Sequence, residues 1–462
     1  MERKNAWLSY SEEERAKLNQ VCDDYKAYLS IAKTERECVT EAVRLAEAKG
    51  YRRMEDVMKA GETLKEGDRV YRICMNKTLV LFQIGSEPIE NGMNILGAHI
   101  DSPRLDLKQN PLYEDTDMVL LDTHYYGGVK KYQWVAMPLA LHGVVAKKDG
   151  TSINVVIGED PEDPVLCISD LLPHLAADQM QKKASEIIDG EAMDVLFGSE
   201  PAADADEKEK ELVKKNILAL LKAKYDMEEE DFISAELEIV PAGAARDCGL
   251  DCSMVIGYGQ DDRICAYTSL AAQLDMGPVK RTAVCLLVDK EEIGSVGATG
   301  MHSRFFENTV AELMSLAGQY TDLGVRRAIA NSRMLSSDVS AAFDPNFAGV
   351  FEKKNSAYFG RGLVFNKYTG SRGKSGSNDA SAEYMAAVRR VMDDNGVFWQ
   401  TAELGKVDQG GGGTIAYIMA NYGMEVIDSG IAVLSMHAPW EIGSKADIYE
   451  GYKGYMAFLK DA

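Results

Sequence analysis

The chain has 462 residues, more than one ordinary domain, and 46% of them are hydrophobic, ample for a core. Asp and Glu number 73 against 51 Lys and Arg, which argues against nucleic acid or an anionic membrane surface as the main partner. No apolar run approaches the length of a membrane span and "MERKNAWLSYSEEERAKLNQ" has no signal-peptide core, so a soluble, cytoplasmic protein with no membrane partner is expected.

In chain order, residues 10–49 predict two helices of amphipathic spacing, with Gly50 stopping the second. Strands follow in "KTLVLFQIG" and "NILGAHID", separated by the turn-like "SEPIENG". From about residue 104 to 240 short β-like runs such as "MVLLDTHYYGG" and "TSINVVIGEDP" predict a small β-rich domain. Within it, "EPAADADEKEKELVKKNILALLKAKYDMEEEDF" reads as a solvated acidic loop leading into a helix. After residue 240, apolar strands alternate with amphipathic helices, the pattern of a sheet covered on both faces. The organisation expected is therefore α/β: a central mixed β-sheet flanked by helices, residues 1–103 plus 241–462, interrupted by a β-rich insertion at 104–240. The eight cysteines form no C-x-x-C pair, and reduced, mostly buried thiols are expected.

Ligands of open α/β sheets gather at the carboxyl ends of strands, and that is where the chemistry-bearing residues fall. "NILGAHIDSPRL" places His99 at a strand end with Asp101 two residues on, the kind of partner that fixes a ligating imidazole. "GIAVLSMHAPWEIG" repeats the arrangement with His437. "GYGQDDRICAYTSL" offers Asp261 and Asp262 before a helix, where a plain helix cap is the simpler reading, and "NSRMLSSDVSAAFDPNF" offers Asp338. Histidines and carboxylates at separate strand ends suit zinc, and also cobalt or manganese. "VCLLVDKEEIGSVGATG" sets Glu291 and Glu292 side by side where an apolar strand stops. Neighbouring residues there can serve different partners, one as metal ligand and one as general base.

The motifs "GAHIDSPRLDLK", "DKEEIGS", "SSDVSAAFDP", "GSNDASAE" and "VLSMHAPWE", in this order, resemble the aspartyl aminopeptidase family of dinuclear zinc metallopeptidases. The resemblance extends over most of the chain and implies a zinc-exopeptidase-like fold and two divalent ions per subunit, most simply zinc. It implies removal of N-terminal residues from peptides and a homo-oligomer, typically a tetrahedral dodecamer. It makes His99, Asp262 and Asp338 ligands of one metal, with Asp262 bridging to a second held also by Glu292 and His437. Glu291 becomes the general base and Asp101 the partner of His99. Asp261 competes for the bridging place; Asp262 is preferred because the Arg263–Ile264 step follows it. The family's acidic preference needs a cation near the substrate side chain, for which Arg372 and Lys374 in "YTGSRGKSGSND" are the candidates. The inserted domain implies subunit contacts and a histidine delivered towards a neighbouring subunit's site, for which His174 is the match. After its last histidine the chain reads Ala438–Pro439–Trp440–Glu441, without the arginine found in aspartyl-specific relatives, so a broader preference is compatible with the same centre.

Two other readings stand beside this one. The same metal centre could serve a carboxypeptidase or deacylase, or the fold could be retained in a non-catalytic peptide-binding assembly. Retention of Glu291 counts against the last. The "DQGGGGT" run, Asp408 to Thr414, is expected to open a helix and could present backbone N–H groups to a substrate.

Overall fold

The computed structural model describes residues 3–203, 210–370 and 373–462. They divide into two compact units: Met1–Asp101 with Ala245–Met436 and Glu441–Ala462, and Ser102–Ala244 with His437–Trp440. The expected boundaries at 103/104 and 240/241 thus differ by a few residues from the observed ones, and a four-residue piece containing His437 joins the second unit.

The first unit is built on a nine-stranded mixed sheet. Its strands are β1 (Arg52–Arg53), β2 (Arg69–Cys74), β3 (Thr78–Gln83), β4 (Met93–His99), β5 (Thr282–Val288), β6 (Arg333–Ser337), β7 (Leu363–Asn366), β8 (Trp399–Thr401) and β9 (Glu425–Gly430). They lie in the order β1-β2-β3-β5-β4-β6-β9-β7-β8. The four central strands, β5, β4, β6 and β9, are mutually parallel, so their carboxyl ends share one edge.

Alternate residues of these strands feed cores on opposite faces, which is why the strands read as continuous apolar runs. Leu79, Leu81, Ala98, Cys285 and Leu287 pack towards α1 (Glu12–Ile31), α2 (Glu35–Ala48) and α3 (Gln260–Asp275). Val80, Phe82, Ile95, Val284, Leu286 and Met334 pack towards α4 (Phe305–Leu316) and α5 (Asp322–Ala330). Helices α6 (Ala382–Asp394) and α7 (Lys445–Asp461) share a further cluster with Leu96, Leu335, Phe365 and Ile427.

Both N-terminal helices carry complete capping boxes: Ser11 with Glu14, and Thr34 with Glu37, each exchanging side-chain and backbone bonds. Deep in the unit, Asp447 of α7 accepts the N–H groups of Gly360 and Gly362, and burial pushes its carboxyl up to about 7 against the pull of those two donors.

The second unit contains a six-stranded sheet in which every pairing is antiparallel, in the order Ser152–Ile157, Leu139–Ala146, Ala235–Pro241, Arg104–Asp115, Met118–Tyr126, Val195–Gly198. A helix spans Leu212–Tyr225, and residues 204–209 of the acidic stretch before it lie outside the described residues. No described helix is long and apolar enough to cross a membrane.

Candidate metal centre

Three of the parallel strand ends converge on one group of acids around a single imidazole. His99 is the last residue of β4 and is 2% exposed. Its Nδ1 lies 3.0 Å from the main-chain oxygen of Asp101 and 3.3 Å from Asp101 Oδ1. Only an N–H can face a carbonyl oxygen, so Nδ1 carries a proton and Nε2 is the nitrogen turned towards the acids. Nε2 stands 3.2 Å from Asp261 Oδ1 and 3.9 Å from both Glu291 Oε2 and Asp338 Oδ1.

Asp101, fully buried, has a second task. Its Oδ1 accepts the N–H of Glu291 and its Oδ2 the N–H of Glu292, each at 3.1 Å. The two glutamates sit on a single 3-10 turn, Glu291–Ile293, between left-handed Lys290 and Gly294, so the chain leaves β5 sharply. One carboxylate thereby fixes the orientation of both.

Asp261 and Asp262 fall at the start of α3, where the backbone is not helical: Asp261 has φ −80°, ψ 105° and Asp262 φ −114°, ψ 26°, and the peptide between them is cis. The residue at the N-cap position is Gly259, which has no side chain to cap the helix. The N–H of Asp261 donates to Glu441 Oε2 at 2.9 Å, and Gln260 Nε2 to the Glu441 carbonyl at 2.6 Å. Glu441, 1% exposed, thus holds the kink in place.

Asp338 follows β6. Its N–H donates to the Ser429 carbonyl on β9 at 2.9 Å, and a Cβ on neighbouring Gly430 would stand 1.7 Å from its oxygen, so only glycine fits there.

Candidate ligand atoms fall within 4.8 Å of one another in three sets: His99, Glu291 and Asp338; His99, Asp261 and Glu292; and Asp261, Asp262 and Asp338. Asp261 belongs to two sets and Asp262 to one.

The electrostatics are those of a cation site. Burial, followed by the charge of Asp261, holds the Asp262 carboxyl well above its ordinary value although His99 opposes it; burial and then Asp262 do the same to Asp338. Burial disfavours charge on His99, yet Asp101 and Asp261 outweigh it and hold the imidazole well above its usual value. So many buried acids around one base are mutually repulsive until a cation joins them, and the mixed nitrogen and oxygen donors fit zinc.

The remaining expected residues lie elsewhere. His437 belongs to none of the three sets; its Nδ1 is 3.0 Å from the Gly128 carbonyl oxygen within the second unit. His174 is exposed on the 3-10 turn Pro173–Leu175. Lys374 lies over the Tyr368 ring, 3.8 Å from its centroid, and pairs with Asp379 at 3.0 Å, beside a cavity of about 230 Å³ lined also by Glu403 and Lys406. Arg372 lies outside the described residues. The "DQGGGGT" run leads to a helix of only five residues, Ala416–Ala420. Sequence reasoning gave Glu441 no role; no spacing signal distinguishes a buried acid on a short strand from an exposed one.

The family model described as aminopeptidase I zinc metalloprotease (M18) matches residues 28–459. A probable M18 family aminopeptidase 1 of Clostridium acetobutylicum is 64% identical over 460 residues, covering 100% of this chain and 98% of its own. The crystal structure of an M18 family aminopeptidase from Thermotoga maritima superposes with a TM-score of 0.94 at 43% identity, covering 100% of both chains. The mApe1 dodecamer of Saccharomyces cerevisiae shares the fold at a TM-score of 0.76 and 21% identity, over 96% of this chain and 97% of its own.

Proposed function

The chain belongs to the M18 family of zinc metalloproteases and is an aminopeptidase, and from that premise we propose that the acids around His99 hold two zinc ions and that Glu291 carries the proton during release of a peptide's N-terminal residue. The observation that carries this reading is the convergence of His99, Asp261, Glu291, Glu292 and Asp338 from the ends of β4, β5 and β6 and the start of α3.

His99 and Asp338 are proposed as ligands of one ion, and Glu292 and His437 of the other. Asp261, which belongs to two of the ligand sets, is the better bridge, in place of Asp262. The proton that His437 Nδ1 gives the Gly128 carbonyl leaves Nε2 as its ligating nitrogen. Zinc, when bound, supplies Lewis acidity that acidifies water and polarises a peptide carbonyl.

The residues supply the rest. Glu291 takes the proton of the attacking water and passes it to the departing amine, the work of a general base turned acid. Asp101 keeps that carboxylate in place through the backbone of the turn. A free α-amine on the substrate would be recognised by the acids of the site.

Lys374 already faces Asp379, which also pairs with Lys367. Two lysines sharing one carboxylate keep a single positive charge, and at this solvent-exposed place it attracts an acidic substrate side chain weakly, which favours a broad preference over a strict Asp or Glu one. Exposed Leu171, Leu172, Leu175 and Met180 surround His174 in the second unit, and we assign this apolar stretch to contacts between copies in a homo-oligomer, a tetrahedral dodecamer by analogy, acting in the cytoplasm.

Release of N-terminal residues from a peptide panel, on zinc-stripped and zinc-reloaded protein, tests the reading. Turnover that needs zinc and a free amine supports it. Cleavage of N-blocked peptides at equal rate would contradict it.

A further inference from the structure

The carboxyl end of β9 carries a buried acid that the metal centre does not use. Asp428 is 2% exposed, in register with Ser336 on β6 and with Asn366 on β7. Its Oδ1 accepts the hydroxyl of Thr414 at 2.5 Å, and Thr414 Oγ1 in turn accepts the N–H of Ala416 at 3.3 Å. One hydroxyl therefore joins the end of the Gly410–Gly413 run, the start of the following helix and the central sheet.

The next residue of the same strand, Ser429, accepts the N–H of Asp338, so the strand that holds Thr414 also holds the metal edge. At its other side the glycine run is tied to a second loop: the Gly412 carbonyl accepts the N–H of Gly370 at 2.7 Å, where the segment bearing Lys374 begins. A Cβ at Gly412 would meet nothing within 4 Å, and one at Gly413 only the Gly376 oxygen at 3.9 Å. The backbone is thus open at Gly412 and Gly413, where an extended peptide can pair with it, whereas Gly410 packs against the Leu404 carbonyl and gives its N–H to the Lys406 carbonyl. Glycines alone would leave such a run mobile; an anchored end restricts it.

We infer that Asp428 and Thr414 form a latch that positions the Gly410–Gly413 run as a backbone rail for the peptide substrate, in fixed register with Asp338. Both are positioning residues, acting through the loop. The latch does not require the charge of Asp428: burial pushes its carboxyl up to about 7, and either form accepts the hydroxyl. The inference rests on the peptidase reading above, so its test includes a measurement that needs no turnover.

Full-length, zinc-loaded Thr414→Val, Thr414→Ser and Asp428→Asn are compared with the wild type by amide hydrogen exchange over 408–414 and by kcat and KM on a tripeptide. Thr414→Val removes the donor at nearly constant shape. Its exchange over the run should quicken about tenfold and its KM rise about tenfold, with kcat and zinc content little changed. Thr414→Ser and Asp428→Asn, which keep a donor and an acceptor, should stay near the wild type. Unchanged exchange in Thr414→Val overturns the latch, whatever the wild type hydrolyses. Faster exchange with an unchanged KM overturns the rail. A Ser variant as impaired as the Val variant shows a packing effect and also overturns it. If Thr414→Val does not fold, Thr414→Ala takes its place with the same expectations. A zinc-loaded wild type that releases no residue from any free-amine peptide sinks the peptidase reading and the rail with it, and leaves the exchange result to decide the latch.

Discussion

Replacing Asp101 by asparagine separates the two tasks of that side chain. The ring of His99 is held chiefly by the main-chain oxygen of residue 101, at 3.0 Å, which any substitution retains. The carboxylate oxygens are what the N–H groups of Glu291 and Glu292 require. Asparagine offers one acceptor and turns an NH2 group towards the other N–H, so one charge-assisted hydrogen bond in a fully buried place is lost. Such a bond contributes about 1.5–3 kcal/mol, and partners of metal ligands typically affect affinity or activity by about 10- to 100-fold. The expected result for Asp101→Asn is a fall of about 10- to 100-fold in kcat/KM with a folded protein. Zinc affinity, measured by competition with a chelator, should fall by about tenfold, since Glu292 is a proposed ligand and His99 keeps its main-chain acceptor while losing the carboxylate charge 3.3 Å from Nδ1. Steady-state kinetics and metal competition on the same preparation check both. Wild-type kcat/KM in a folded Asp101→Asn protein would refute the reasoning, because it would mean the turn keeps its geometry without the carboxylate.

Other expectations follow from the same geometry. Glu291→Gln should lower kcat by about 10²- to 10⁴-fold while zinc content, read by elemental analysis, stays at the wild-type level. Gly430→Ala forces a Cβ to within 1.7 Å of the Asp338 oxygen, and should cost about 1–3 kcal/mol in denaturant unfolding together with zinc affinity. The raised Asp447 carboxyl binds a proton in the folded state between its ordinary value and about 7, where the unfolded chain has released it. The wild type should therefore lose stability relative to Asp447→Asn as pH rises through that window, and parallel pH dependences would disprove the assignment. Removing the neutralising partner in Asp379→Asn should shift preference towards acidic N-terminal residues, seen as a higher ratio of kcat/KM for Glu over Ala peptides.

Much of the architecture was legible because each signal has a local cause. The alternation of apolar strands with amphipathic helices identified the α/β class, and the apolar spacing over residues 10–49 located two helices, whose starts the structure shows closed by capping boxes at Ser11 and Thr34. His99, Glu291, Glu292 and Asp338 were findable since each ends or follows an apolar run, and parallel strands bring such ends together. The choice between Asp261 and Asp262 was not legible: adjacent identical residues are distinguished only by the kink in the backbone, and the Arg263–Ile264 step says nothing of direction. Glu441 on a four-residue strand and Asp428 on a strand buried on both faces escaped notice because neither kind of burial leaves a periodicity. His437 is not grouped with the other candidate ligands, being placed with the second unit, and Arg372 lies outside the described residues.

The most direct test of the central claim measures zinc content and N-terminal residue release on the same samples of wild type and Glu291→Gln. Two zinc ions per chain in both proteins, with turnover in the wild type alone, is the predicted result. A single zinc in the wild type, or turnover undiminished without the Glu291 carboxylate, would contradict the account.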